Sequence, residues 1–334
     1  MDDGLRGRDF VTDAEWSLEE LERMFQTAGE LKTQFRRGIP TPWLQNLTLF
    51  MLFFEQSTRT RNSFEAGMTQ LGGHAHDLTP DKMQISHGET AFDTGAVLSR
   101  YGHAIGIRNC FWKTGNRYLR EVAASASVPV FNMQCDLYHP CQATADLMTV
   151  REKFGAGELR GRKFVVSWAY APSYQKPMSV PQSLILLMPR FGMDVVLAHP
   201  PEFDLVPELV EQARGFARAS GARFDIVHDM DAAFEGAHVV YPKSWGCMMR
   251  TTDLQESAAV AARYKDWICD ERRMGIVDRD CLYMHCLPAD RGHEVTDAVI
   301  DGPHSVVFDE AENRLHVQKA IMALTMKGDK TGEF

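Results

Sequence analysis

Ser57, Thr58, Arg59, Thr60 and Arg61 follow one another without a break, and hydroxyls interleaved with guanidiniums are chemistry suited to holding a phosphate. The run before them, Thr48-Leu49-Phe50-Met51-Leu52-Phe53-Phe54, is short and apolar, as an interior strand of a parallel sheet is. After them Phe64, Met68 and Leu71 recur at helical spacing, and Gly72-Gly73 stops the pattern. Ser57 falls where an N-cap belongs, so the first-turn N–H groups point outward with the positive end of the helix dipole behind them. Two arginines in that turn oppose the dipole. An anion between them accounts for both; a capped helix with solvated arginines is the alternative.

Four further segments occupy strand ends or helix starts. Arg108 closes an apolar run at 103–107. The run Val128–Met133 is followed by His139-Pro140-Cys141-Gln142, and another run ends in His285-Cys286-Leu287-Pro288. Glu312-Asn313-Arg314-Leu315-His316 opens the last helix. Each has a plainer reading. His139 can cap a helix with Pro140 at its first position. Arg314 can pair with Glu310 or Glu312, and Cys286 can be a small buried hydrophobe with only its backbone in a site. His285, Cys286 and Cys141 lack a second ligand pair at zinc-like spacing, so no metal is expected. Gly72-Gly73 and Gly155-Ala156-Gly157 are helix stops, because neither lies between a strand end and a helix start.

The elements that must position these residues alternate along the chain. A helix is expected over 12–33, capped by Thr12 or Asp13, with Leu18, Leu21, Phe25 and Leu31 on one face. Strands are expected at 48–54, 103–107, 128–132, 163–168, 193–198, 224–228, 237–241, 281–286 and 305–308, separated by segments long enough for crossover helices. The last helix is expected from about Glu310, with Val317, Ile321 and Leu324 on one face. This predicts an α/β protein of two doubly wound parallel-sheet domains, residues 1–150 (completed by the helix 310–334) and 151–309. Ligands in such sheets sit at the carboxyl ends of strands.

The 334 residues suffice for two cores, and a net charge of −9 with no basic stripe gives a nucleic-acid role no electrostatic support. An anionic small molecule must be held by local arginines. Seven scattered cysteines suit a reducing compartment, Met1-Asp2-Asp3-Gly4 is unlike a signal peptide, and no run is long enough for a membrane span. A cytoplasmic protein is expected.

The five motifs, in this order along nearly the whole chain, resemble the aspartate/ornithine carbamoyltransferase (transcarbamylase) family. That resemblance implies a carbamoyl-phosphate domain, an amine-substrate domain, a homotrimer, and active sites at subunit interfaces. It puts Ser57, Thr58, Arg59 and Thr60 around the phosphate, and lets Arg108 reach both the phosphate and the carbonyl oxygen. His139 and Gln142 would contact the carbamoyl group, with Arg314 close by. Backbone carbonyls near Cys286 and Leu287 would accept from the carbamoyl NH2. Gln84, in Met83-Gln84-Ile85-Ser86-His87-Gly88-Glu89, matches a loop lent to the neighbouring subunit's site. Thr60, Arg108 and His139 would form the oxyanion site. Carbamoyl phosphate carries its own leaving group, so no cofactor is expected.

The amine side departs from the family's ornithine enzymes. The Asp and Ser-Met-Gly loop usual there are replaced by Tyr241-Pro242-Lys243-Ser244-Trp245-Gly246. After the first strand of the second domain stands a long proline-rich loop, Trp168–Pro181. Both departures resemble the subgroup acting on N-acylated ornithines, which implies a shallow knot at this loop. That subgroup carries a lysine where this chain has Glu294, within Arg291-Gly292-His293-Glu294. Lys243 and Arg291 would suit a substrate carboxylate, with Trp245 and Glu294 beside them; solvated surface roles are the alternative. The expected activity is carbamoyl transfer to an amine of a small amino acid or related acid. The alternatives are ornithine or N-acylornithine transcarbamylation proper, or a homologue that binds carbamoyl phosphate without turnover.

Overall fold

The computed structural model describes residues 4–172, 176–327 and 330. The described residues of Met1–Ala145 and Glu312–Phe334 form one compact unit and Asp146–Ala311 the other.

The first unit is built on a four-stranded sheet of β1 (Thr48–Phe53), β2 (His74–Leu78), β3 (Ala104–Asn109) and β4 (Val130–Cys135). All pairings are parallel, in the order β2-β1-β3-β4. β1 and β3 lie inside, and Leu49–Phe53 and Ala104–Ile107 are buried, as in parallel strands covered on both faces. Leu52, Ile105, Ile107, Leu119 and Val122 pack into one fully buried cluster. Truncating any one of the larger aliphatics there to alanine is expected to cost about 2–5 kcal/mol. Chain order reverses between β1 and β3, so the crevice beyond their carboxyl ends is the place such a sheet offers a ligand.

The second unit carries β5 (Lys163–Trp168), β6 (Asp194–Ala198), β7 (Phe224–Val227), β8 (Val239–Lys243) and β9 (Leu282–Tyr283). The sheet is again wholly parallel, in the order β7-β6-β5-β8-β9. Its reversal lies between β5 and β8, whose carboxyl ends carry Trp168 and Lys243. Two doubly wound parallel-sheet units are therefore present, as the alternation of runs predicts.

Several elements differ from expectation. The opening helix runs Leu18–Arg36, not 12–33. Ser17 and Glu20 form a reciprocal capping box there, which outcompetes an earlier start. Thr12 instead accepts from Ala14 N at the 3-10 turn Asp13–Glu15. Leu18, placed on the inner face, is 46% exposed. β2 went unrecognised because its residues, His74-Ala75-His76-Asp77-Leu78, are polar and half-exposed at the sheet edge. Residues 305–308 are not a strand: Ser305 makes a single bridge with Tyr283, and Val307 already begins the final helix, Val307–Thr325. That helix therefore starts three residues before Glu310. Residues 173–175 of the proline-rich loop, to which the expected knot belongs, lie outside the described residues.

Candidate active site

The helix Arg59–Gln70 leaves β1 through Ser57 and Thr58. Ser57 Oγ accepts from Thr60 N at 3.2 Å, as an N-cap side chain does, although regular helical bonding puts Thr58 at the cap position. Arg61 turns away: it pairs with Asp77 and lies over the Phe53 ring at 4.2 Å. The contacts within the fold thus account for Arg61, one of the two first-turn arginines.

Arg108 is the fifth residue of β3, and the pairing register with β4 shifts between Ile107 and Arg108. A bulge of that kind re-aims a side chain. Arg108 donates to Gln134 Oε1 at the end of β4, a partner with no motif to announce it in the sequence. Arg314, in the final helix, donates to Thr60 Oγ1. A hydroxyl that accepts this way still has its own proton to give. Glu55 Oε1 accepts from Cys110 N at 2.9 Å, and burial pushes its carboxyl up despite Arg108.

His139 immediately precedes the helix Pro140–Phe154 and is 3% exposed. Burial first, then the charges of Arg314, Arg108 and Arg59, hold its imidazole well below the usual histidine range. The ring is therefore neutral at pH 7, beside three guanidiniums from three separated segments. Gln142 follows one turn on, buried, its N–H bonded to His139 O at 3.0 Å. The first unit thus brings Arg59, Thr60, Arg108, His139 and Arg314 together, with Ser57 and Thr58 at the same helix start. Gln84 is exposed at the start of the 3-10 turn Gln84–His87.

In the second unit the residues singled out divide. Glu294 is 0% exposed and is the hub of a buried network. Lys176 Nζ lies 2.9 Å from its Oε2 and 2.9 Å from Asp290 Oδ2. Ser244 N donates to Oε1 at 2.6 Å and Asp290 N to Oε2 at 2.7 Å. His285 Nδ1 accepts from Leu287 N at 2.8 Å, which leaves the ring proton on Nε2, 3.4 Å from Glu294. Burial would raise the Glu294 carboxyl, but His285, Lys243 and Lys176 together hold it well below the carboxylate range. The expected reversal of charge at this position is thus compensated inside the unit. Lys243 donates to Ser244 O at 2.8 Å and sits 4.0 Å from Glu294, and burial lowers its ammonium pKa.

Two other expectations change. Arg291 is taken up on the surface by Asp297 at 2.6 Å and Asp301 at 2.6 Å, so two carboxylates of the chain already occupy it. Trp245 is 1% exposed, donates to Phe203 O at 2.9 Å, and accepts at its carbonyl from Trp168 Nε1 at 2.9 Å. It is a wall, with Trp168, Tyr170 and Phe203, of an aromatic cavity of about 230 Å3. Cys286 is half-buried, and Leu287 takes a left-handed φ of 54° before a cis bond to Pro288.

Residues 8–152 match the carbamoyl-P binding domain, and residues 175–325 the Asp/Orn binding domain, of the aspartate/ornithine carbamoyltransferases. The chain belongs to that family. It is 39% identical to the putative carbamoyltransferase YgeW of Escherichia coli O157:H7, over 98% of this chain and 92% of that protein. The ornithine carbamoyltransferase of Pyrococcus furiosus superposes with a TM-score of 0.87 at 38% identity, covering 97% of this chain and 98% of that one. An acetylornithine transcarbamylase solved with acetylcitrulline gives a TM-score of 0.87 at 36% identity, over 95% and 98%. As in the rest of this carbamoyltransferase family, the fold is two parallel-sheet α/β units. Among the described residues no helix is long and apolar enough to cross a membrane.

Proposed function

We propose that this member of the family transfers the carbamoyl group of carbamoyl phosphate to an amine of a small amino acid or related acid. The products are the N-carbamoyl compound and inorganic phosphate. The observation that carries the reading is the neutral, buried His139 under the combined charge of Arg59, Arg108 and Arg314. Three cations around one uncharged donor suit a phosphate dianion joined to a carbonyl.

In this reading the N–H groups and hydroxyls of Ser57, Thr58 and Thr60, with Arg59, hold the phosphate, and Arg314 fixes the Thr60 hydroxyl. Arg108, steadied by Gln134, spans the phosphate and the carbonyl oxygen. The amine nitrogen forms a bond to the carbonyl carbon, and the carbonyl π electrons move onto oxygen. Thr60, Arg108 and neutral His139 donate to that oxyanion; each donor removed is expected to cost about 2.7–4 kcal/mol of barrier. Collapse breaks the C–O bond to phosphate, and the departing phosphate takes the amine's proton. Gln142 orients the carbamoyl NH2. Gln84 serves the site of a neighbouring subunit in a homotrimer.

Lys243, at the carboxyl end of β8, is the basic group suited to an acceptor carboxylate. Ornithine and acetylornithine are the acceptors suggested by the named relatives. Incubation with 14C-carbamoyl phosphate and a panel of amines, ornithine and N-acetylornithine included, tests the proposal. Label transfer to one amine with phosphate release is expected. Failure to bind carbamoyl phosphate at all would sink it.

A further inference from the structure

The amino ends of β1, β3 and β4 border a cavity in the first unit, of about 430 Å3. It is the opposite end of the sheet from Arg59, Arg108 and Gln134, which stand beyond or at the carboxyl ends of the same strands. A six-residue strand spans roughly 20 Å, so the cavity is no part of the donor cluster.

Its lining has a definite chemistry. Trp43 and Tyr101 bring two aromatic rings to the lining, and Tyr101 is 71% exposed, which is unusual for so large a ring. Arg100 and Lys327 supply two cations, and Lys327 Nζ lies 6.0 Å from the Trp43 ring centroid. His103 Nδ1 accepts from Thr48 N at 3.1 Å, so its proton is on Nε2, and burial lowers its pKa. That makes it a neutral N–H donor on the cavity wall. Among the described residues none that lines the cavity is acidic, although the chain has 45 acidic side chains against 36 lysines and arginines. Two aromatic rings, two cations and one neutral donor, in a volume within the usual range for small-molecule sites, specify the ligand class.

The geometry points to a binding site for a flat aromatic ring carrying an anionic group, the class to which mononucleotides belong. The ring stacks on Trp43 and Tyr101, and the anion meets Arg100 and Lys327. Neither the carbamoyl group nor an aliphatic amino acid has a ring to use these walls, so the occupant is neither substrate of the proposed reaction.

Titration calorimetry of the full chain with adenosine monophosphate, adenosine and inorganic phosphate tests this. Arg59→Ala, Trp43→Ala and Lys327→Ala are the variants. Adenosine monophosphate is expected to bind both the unaltered chain and Arg59→Ala, which removes any contribution of the donor site. Trp43→Ala and Lys327→Ala should each weaken that binding about tenfold or more, with affinity for carbamoyl phosphate unchanged. Adenosine and phosphate should each bind at least tenfold more weakly than the monophosphate. No binding at millimolar concentration, or binding lost only in Arg59→Ala, overturns the proposal. Equal affinity for phosphate alone overturns the requirement for a ring.

Discussion

At the scale of single residues, charge decides what each group can do. Arg61 is balanced by Asp77, whereas Arg59, Arg108 and Arg314 act jointly on His139. Arg59→Ala or Arg108→Ala is expected to weaken carbamoyl phosphate binding by about 2–5 kcal/mol, which is some 30-fold or more in Kd, because each leaves phosphate charge unpaired in a partly desolvated site. Calorimetry with unaltered affinity in either variant would refute their placement. His139 gives a second expectation. Its pKa is held well below the usual histidine range, so the ring does not titrate between pH 6.5 and 8. The kcat/KM profile should therefore show no inflection from His139 in that interval. His139→Gln should lower kcat about 10²–10³-fold without moving the profile, as loss of an oxyanion donor does. A profile that flattens in the variant would show that the histidine titrates.

At the scale of elements, what was legible in the sequence was whatever is local. Apolar runs mark buried parallel strands because both faces are covered, and the motif residues announce themselves by lying just beyond such runs. β2 was not legible because an edge strand needs no apolar pattern. Val306 and Val307 read as a strand because two apolar residues cannot distinguish a strand from a helix start. Gln134 was invisible because its role depends on a bulge in pairing between β3 and β4. The Lys176–Glu294 pair joins segments 118 residues apart, a distance no periodicity reports. Their charges also explain why Glu294 is tolerated inside. It binds the backbone N–H of Ser244 and of Asp290 as well as Lys176, so one carboxylate ties the end of β8 to two other segments. Glu294→Gln leaves Lys176 under-compensated and should destabilise the chain by about 3–5 kcal/mol. Adding Lys176→Met should recover part of that loss in urea denaturation, because it removes a buried cation left with Asp290 as its one carboxylate. A double variant no more stable than Glu294→Gln would mean that the network matters only through its backbone bonds.

At the scale of the whole molecule, the buried histidines set the acid limb of stability. His139, His199 and His285 all have depressed pKa values, each chiefly from burial. Above about pH 6.5 they are neutral folded or unfolded and contribute no pH dependence. As pH falls below 6.5 the unfolded chain takes up protons that the folded chain refuses, so stability is lost by up to about 1.4 kcal/mol per pH unit for each histidine. Glu294 acts in a lower window: its depressed pKa stabilises above about 4.5, and that contribution disappears as pH drops further. Thermal unfolding should therefore show Tm declining from about pH 6.5 downward. His139→Gln should shallow the slope between pH 6.5 and 5 and leave the steeper fall below 4.5 in place. An unchanged slope would mean that His139 is protonated in the folded state.

The assembly supplies the remaining expectation. Gln84 is exposed at the start of a 3-10 turn, and Arg59, Arg108 and Arg314 act on His139 in the same unit. If the loop serves a neighbour in a trimer, Gln84→Ala and Arg59→Ala damage the same sites from different chains. Gln84→Ala should weaken carbamoyl phosphate binding about tenfold, the loss of one hydrogen bond to a charged group. Arg59→Ala should lose it more completely. Co-expression of the two variants in equal amounts then makes mixed trimers. In cyclic symmetry each site draws its cations from one chain and its loop from the next, so roughly one site in four combines two intact halves. Calorimetry of the mixture should recover high-affinity sites at about that stoichiometry, and sedimentation should give three chains per particle. Were the loop to serve its own subunit, every site would keep one defect and no high-affinity site would return, whatever the ratio of the two chains.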